Sequence, residues 1–186
     1  CIRDRLKRGS KLNFFNKNGE WKSEIIFLNK DRVEVRFLEK IKEVNNLSKT
    51  ELAICLVKKN PMDNILQKAT ELGISKIIPI VSERTEVKEL NLDRAKKIVI
   101  EATEQSNQLV PPNISDVIKL KDFLLTFDEN SKILFADVNS KENLKTEDLE
   151  NVKSFCILIG PEGDFSPAER ELILQNRAVK PFTLSR

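Results

Sequence analysis

Two patterns follow one another along the chain, and together they predict an α/β fold preceded by a small all-β part. From Glu51 onward, short apolar runs alternate with amphipathic helical stretches, as in a parallel sheet covered by helices. Before residue 43, three short runs rich in Phe, Val and Ile are separated by turn residues, as in an antiparallel meander or barrel. The polar stretch 39–50 (EKIKEVNNLSKT) reads as a linker, and two domains are expected over 1–46 and 47–186.

The strands of the first part are expected at Lys11–Asn16, Ser23–Asn29 and Arg32–Leu38. Asn18-Gly19 and Asn29-Lys30-Asp31 supply the turns. In the third run Arg32, Glu34 and Arg36 alternate with Val33, Val35 and Phe37, which predicts a half-buried strand. The second part opens with strand Glu51–Val57. Asn60-Pro61 then starts a helix in which Asn60 caps, Pro61 occupies the first turn and Asp63 suits the positive end. Its inward stripe is Ile65, Leu66, Ala69 and Leu72, and Gly73 ends it. Strand Lys76–Val81 contains Pro79, which suggests an edge or a bulge. Helix Leu92–Asn107 turns Ala95, Ile98, Val99 and Ala102 inward and is closed off by Pro111-Pro112. A short helix over Lys121–Phe127 follows, then strand Lys132–Ala136, a polar stretch 139–153, strand Ser154–Ile159, helix Ser166–Asn176 and strand Val179–Leu184.

Composition removes whole classes of chemistry. The chain has no histidine and no tyrosine, and its three cysteines (Cys1, Cys55, Cys156) lie far apart in sequence. A Ser-His-Asp triad, a Cys-His pair, an HExxH zinc site and a CxxC redox pair are excluded. Catalysis, if any, rests on carboxylates, lysine, backbone dipoles and positioning, or on a cofactor that carries the chemistry; no metal is expected. No run of about 18 apolar residues occurs, so no membrane span or membrane partner is expected. Scattered cysteines suggest a cytoplasmic protein. Because the first residue is Cys1 rather than Met, the chain is expected to lack its natural start.

The net charge of +3 is unevenly spread. Residues 1–43 hold twelve Lys/Arg against seven Asp/Glu, and the densest basic run is Arg3, Arg5, Lys7, Arg8 and Lys11. Such a run attracts phosphate backbones by counterion release, or it is the solvated surface of a lysine-rich protein. Alone it does not choose between them.

The most informative segment is 155–169, F-C-I-L-I-G-P-E-G-D-F-S-P-A-E. A buried strand runs into a Gly-Pro-Glu-Gly loop, and the next helix opens with a capping box, Ser166 to Glu169. Loops at the carboxyl ends of parallel strands are where open α/β sheets bind ligands. Gly160 and Gly163 permit close approach of a ligand or positive φ. The loop is neither GxxxxGK[ST] nor GxGxxG, and Glu162 and Asp164 oppose a polyphosphate. A neutral or cationic ligand suits it better; a plain tight turn with surface acids is the other reading.

Four segments in order resemble the ribosomal RNA small-subunit methyltransferase E family of the SPOUT (α/β-knot) superfamily. They are Lys68-Ala69-Thr70-Glu71-Leu72-Gly73, Ser82-Glu83-Arg84-Thr85, Glu101-Ala102-Thr103-Glu104-Gln105-Ser106 and Gly160-Pro161-Glu162-Gly163 with its helix. The resemblance runs over about residues 1–186. It implies a PUA-like β-barrel that binds RNA, then a trefoil-knotted methyltransferase domain. It also implies a homodimer that uses S-adenosylmethionine to methylate N3 of one uridine in 16S rRNA of the small ribosomal subunit. By resemblance, Leu158, Ile159, Gly160, Glu162 and Gly163 belong to the cofactor pocket, and Leu184 and Ser185 begin its last wall. The basic run Arg3, Arg5, Lys7, Arg8 and Lys11 would grip rRNA backbone. Arg84 is the candidate for holding the target nucleotide or its phosphate, against an ion pair with Glu83 or Glu86. Glu101 and Gln105, one helical turn apart, are candidates to face the same site, against plain solvent exposure. Asp137 either faces that crevice or caps its strand. The N3 proton must go to water or a non-histidine group, with Glu83, Glu101 and Glu162 the candidate carboxylates.

The chain departs from the family at three places. Asp164 replaces a second glycine, and Asp tolerates unusual φ. An arginine common near Asn107-Gln108 is missing. The family's segment after Leu184-Ser185-Arg186 is not present, so the knot is expected to be incomplete. Alternatives are a SPOUT enzyme acting on a ribose 2′-hydroxyl or on tRNA, and a non-catalytic RNA-binding protein.

Overall fold

A computed structural model describes residues 6–16, 18–43, 50–106, 108–127, 131–145 and 154–183. The chain divides into two compact units, 1–47 and 48–186.

The described residues of the first unit form a three-stranded antiparallel sheet, β1 (Lys11–Asn16), β2 (Gly19–Leu28) and β3 (Val33–Lys42), in that order. β3 runs four residues past the predicted Leu38. The polar residues 39–42, read as linker, are therefore sheet: Glu39 pairs with Lys22, and Lys40 with Trp21. Charged side chains do not stop a strand whose backbone has a ladder to join. The expected half-burial of β3 is not found, since Val33 is 54% and Phe37 59% exposed. Within this unit the described residues form one layer of sheet, and a layer buries a face only against another. Its apolar side chains gather locally instead: Phe37 packs edge-on against Phe14 and Trp21 at 6.3 and 5.9 Å.

The described residues of the second unit form a seven-stranded sheet whose pairings are parallel. Its strands are β4 (Thr50–Cys55), β5 (Lys76–Val81), β6 (Asn113–Ile114), β7 (Ile118–Lys119), β8 (Ser131–Ala136), β9 (Ser154–Ile159) and β10 (Val179–Phe182). The order is β10-β8-β9-β4-β5-β6, with β7 also on β5. Period-two alternation sends successive residues to opposite faces. Leu52, Ile54 and Leu56 pack under α1 (Lys59–Glu71) and α2 (Leu92–Gln105), against Met62, Leu66, Ala95 and Val99. Ala53 and Cys55 pack on the other side with α3 (Leu120–Leu124) and α4 (Pro167–Gln175), against Phe123, Phe135, Leu158 and Ile173. No described helix is long and apolar enough to cross a membrane.

Several local expectations are corrected. The cap of α1 is Lys58, without a side-chain bond, and Asn60 lies inside the first turn. Asp63 is not in the first turn; it pairs with Arg94 of α2 at 2.5 Å. Leu72 is 83% exposed rather than inward, because it still has helical backbone angles and the buried face of α1 runs to one side of it, through Met62, Leu66, Ala69 and Thr70; Gly73 then ends the helix at φ 79°. β5 is not an edge strand. The Ile80 carbonyl takes an N–H from Leu56 on the β4 side, and the Ile77 carbonyl takes one from Ser115 on the other. By alternation Pro79 faces that other side, between the residues that pair with β6 and with β7, where no ladder N–H is asked of it.

Candidate active site

The carboxyl ends of β5 and β9 carry two loops that meet above the end of β4, the strand between them. In the first, Ser82 and Thr85 are buried and close a tight turn. Their hydroxyls lie 2.7 Å apart, the Ser82 N–H donates to Thr85 Oγ1 at 3.0 Å, and the Thr85 N–H donates to the Ser82 carbonyl at 3.3 Å. The two middle residues, Glu83 and Arg84, are thereby turned outward and exposed. Below them lies the Cys55 thiol, which burial pushes up to about 11 against the lowering effect of hydrogen bonds from Ser82 and Thr85. Cys156 is raised to about 12, again chiefly by burial. Neither thiol is a nucleophile near neutral pH.

The second loop follows Ile159, which is 36% exposed at the end of β9. A Cβ on Gly160 would stand 2.9 Å from the Phe165 ring, so glycine is needed here for packing and not for positive φ. Phe165 is buried and meets Phe135 edge-on at 5.7 Å. The strained position of the loop is Asp164, at φ 61°. Its N–H closes a turn on the Pro161 carbonyl at 2.9 Å, and its carboxylate accepts the Phe165 N–H at 2.8 Å, which is how Asp stands where a glycine was expected. The capping box then forms as read from the sequence: Ser166 Oγ accepts the Glu169 N–H and Glu169 Oε2 accepts the Ser166 N–H, both at 3.2 Å.

Two long-range bonds join the loops. Arg84 Nη1 donates to the Gly163 carbonyl at 3.0 Å, and the Glu83 N–H donates to Glu169 Oε1 at 2.8 Å. Among the described residues Arg84 has no ion pair with Glu83 or Glu86; Glu86 lies 3.7 Å from Lys58 instead. Arg84, Pro161, Glu162 and Gly163 line one small cavity, floored by Leu56, Val57 and Val87.

Next to β9, β8 leads into Asp137, whose side chain is 1% exposed. Its carboxylate accepts the Asn139 N–H at 3.0 Å and pairs with Arg170 of α4 at 2.7 Å. Burial pushes this acid up, but the Arg170 and Asn139 hydrogen bonds outweigh it and hold the group below the usual carboxylate range. Asp137 thus caps its strand and anchors α4.

The remaining sequence candidates are dispersed. The Leu158 side chain is fully buried in the core, so it supports the loop from beneath. Glu101 and Gln105 are exposed and line a groove between α1 and α2 with Asp63, Gln67 and Arg94; neither lines the cavity of Arg84 and Glu162. Helix α2 starts at the loop-bearing edge and runs away from it, carrying these two residues off. Lys7, Arg8 and Lys11 are exposed on the first unit, where Lys7 and Ser10 bracket a turn. Arg3, Arg5, Leu184, Ser185 and Asn107 lie outside the described residues. A cleft of about 670 Å³ between the starts of α1 and α2, lined by Leu56, Met62, Val87 and Leu90, has no signature in the sequence. Its walls come from separate segments and read as ordinary core. Among the described residues no cluster suited to a metal ion occurs.

The model of the RNA methyltransferase domain family matches residues 43–186. The ribosomal RNA small subunit methyltransferase E of Rickettsia conorii is 34% identical over 184 residues, which is 97% of this chain and 75% of that protein. A solved Legionella pneumophila protein in complex with its bound cofactor SAM is 29% identical, with a TM-score of 0.78 over 98% of this chain and 77% of its own. The Neisseria gonorrhoeae ribosomal RNA small subunit methyltransferase E, solved with S-adenosyl methionine, is 24% identical; its TM-score of 0.85, over 97% of this chain and 77% of its own, speaks for the fold. The chain belongs to the ribosomal RNA small subunit methyltransferase E family.

Proposed function

We propose that the chain transfers a methyl group from S-adenosylmethionine to N3 of one uridine in 16S rRNA, at the loop-bearing edge formed by β5, β8, β9 and β10. The observation that carries this reading is the meeting of the 82–85 turn with the 160–163 loop, where Arg84 reaches the Gly163 carbonyl. The residues fit the cofactor. It has a sulfonium and no phosphate, and the loop offers Glu162, Asp164 and the open, side-chain-free face of Gly163 rather than a phosphate cradle. Ile159, Gly160, Glu162 and Gly163 would hold it, with Leu158 supporting from the core and Leu184 and Ser185 continuing the wall. When bound, the cofactor supplies an activated methyl group on sulfur.

The chain's own task is then positioning and proton handling. Arg84 holds the nucleotide or its phosphate against the loop. The imide proton leaves N3 to water or to Glu162, which shares the cavity with Arg84, whereas Glu101 lines a different groove. Lys7, Arg8 and Lys11, with Arg3 and Arg5, take the RNA backbone on a first domain of PUA-like type, sequence-independently. Base-edge chemistry requires the uridine to be unpaired. The knotted connection, the homodimer and a cytoplasmic location belong to the same reading. The test is methyl transfer from labelled cofactor into undermethylated small subunits, with the product nucleoside identified. N3-methyluridine is expected; label on ribose or on tRNA favours the alternative SPOUT reactions, and RNA binding without label favours a non-catalytic protein.

A further inference from the structure

Glu169 is a buried carboxylate, 5% exposed, that makes no ion pair among the described residues and is held by backbone amides. A capping box uses one carboxylate oxygen, here Oε2 toward the Ser166 N–H. A buried carboxylate held by amides alone, without a cation beside it among the described residues, is expensive for a helix cap that glutamine can also make. The second oxygen, Oε1, reaches across 86 residues of sequence to the Glu83 N–H. The 82–85 turn fixes its own shape through Ser82 and Thr85, which also rest on Cys55 of β4, and the Glu83 amide ties it to α4, the helix that follows the 160–163 loop.

We propose that Glu169 is a positioning residue for methyl transfer, holding the Ser82–Thr85 turn through the Glu83 amide so that Arg84 stands against the 160–163 loop. The inference rests on the functional reading above, in which Arg84 holds the nucleotide. It also explains the residue type. Both oxygens accept an N–H at once, whereas glutamine brings one acceptor and an NH2 that would face the other donor.

The test uses the whole chain, labelled cofactor and undermethylated small subunits. Glu169→Gln is expected to lower kcat about tenfold or more, with KM for the cofactor within about twofold of wild type. In an Arg84→Ala background the same change is expected to cost less than about twofold, because the group it positions is gone. Glu83→Pro deletes the donated N–H together with the Glu83 carboxylate, at the second position of a turn where proline is favoured, and is expected to match the Glu169→Gln loss, whereas Glu83→Gln keeps the N–H and is expected to stay within about twofold of wild type. Glu83→Pro carries the test should Glu169→Gln fail to fold. Ser166→Ala breaks the cap but not the link to Glu83, and is expected to lower Tm while leaving kcat within about twofold. Equal losses from Glu169→Gln in both backgrounds, full activity in Glu83→Pro, or a kcat loss in Ser166→Ala as large as that in Glu169→Gln would each overturn the proposal. A wild-type chain that transfers no methyl group fails the functional reading itself, which separates the two failures.

Discussion

The two faces of the parallel sheet are built alike in their apolar cores and differently in their charges. On the α3/α4 side, Asp137 and Glu169 are buried and each ties a strand-end loop to α4. On the α1/α2 side, the charged pair Asp63–Arg94 stands partly in solvent and links two helices that already pack through Met62, Leu66, Ala95 and Val99. Taking carboxylates out of water is unfavourable, so the buried pair marks where loop position matters more than stability. That edge is the proposed site.

This contrast can be broken in order of expected effect. Gly160→Ala should do the most damage, since its Cβ would stand 2.9 Å from the packed Phe165 ring. A loss of about 1–3 kcal/mol is expected from overpacking, together with loss of methyl transfer; thermal denaturation and the labelled-methyl assay read the two. Arg84→Ala comes next. It should cost roughly 100-fold in kcat/KM for the rRNA substrate, while Tm moves by no more than about 2 °C because the side chain is exposed.

Asp137→Asn is expected to destabilise by about 1–2 kcal/mol, discounted because Arg170 is 34% exposed. The pH dependence has a definite sign. The folded group is held below its ordinary value, so its stabilisation is present above about 3.9, the unfolded carboxylate value, and is lost as pH falls through the folded one. Wild type should therefore lose stability on acidification over that range more steeply than Asp137→Asn, in denaturant melts at stepped pH. Asp63→Asn should do least, a Tm change of about 2 °C or less that shrinks further in high salt. An Asp63→Asn effect as large as that of Asp137→Asn would dissolve the contrast between the faces.

What could be read from the sequence was what is local. Lys11–Asn16, Lys76–Val81 and Ser154–Ile159 were bounded as observed, because apolar runs between turn residues carry their own limits. The Ser166–Glu169 box and the tolerance of Asp164 for positive φ were equally legible, each being a property of a few neighbouring residues. The exposure of Leu72 was not, because the stripe read through Ile65 and Leu72 is turned aside from the face that α1 buries, Met62, Leu66, Ala69 and Thr70. β6 and β7 are two residues each and leave no period to detect. Of the four segments that carried the family resemblance, two do structural work at Thr70 and Thr103, which are buried with their hydroxyls bonded to carbonyls one turn back. The other two meet at the site. No pattern along the chain could announce that the glutamate of a helix cap also holds a turn 86 residues away.

The most direct test is the transfer of labelled methyl groups from S-adenosylmethionine to undermethylated small ribosomal subunits, comparing wild type with Arg84→Ala. The account expects label on N3 of one 16S rRNA uridine, falling about 100-fold in rate without Arg84. Label on a ribose or on tRNA, or a rate indifferent to Arg84, would contradict it.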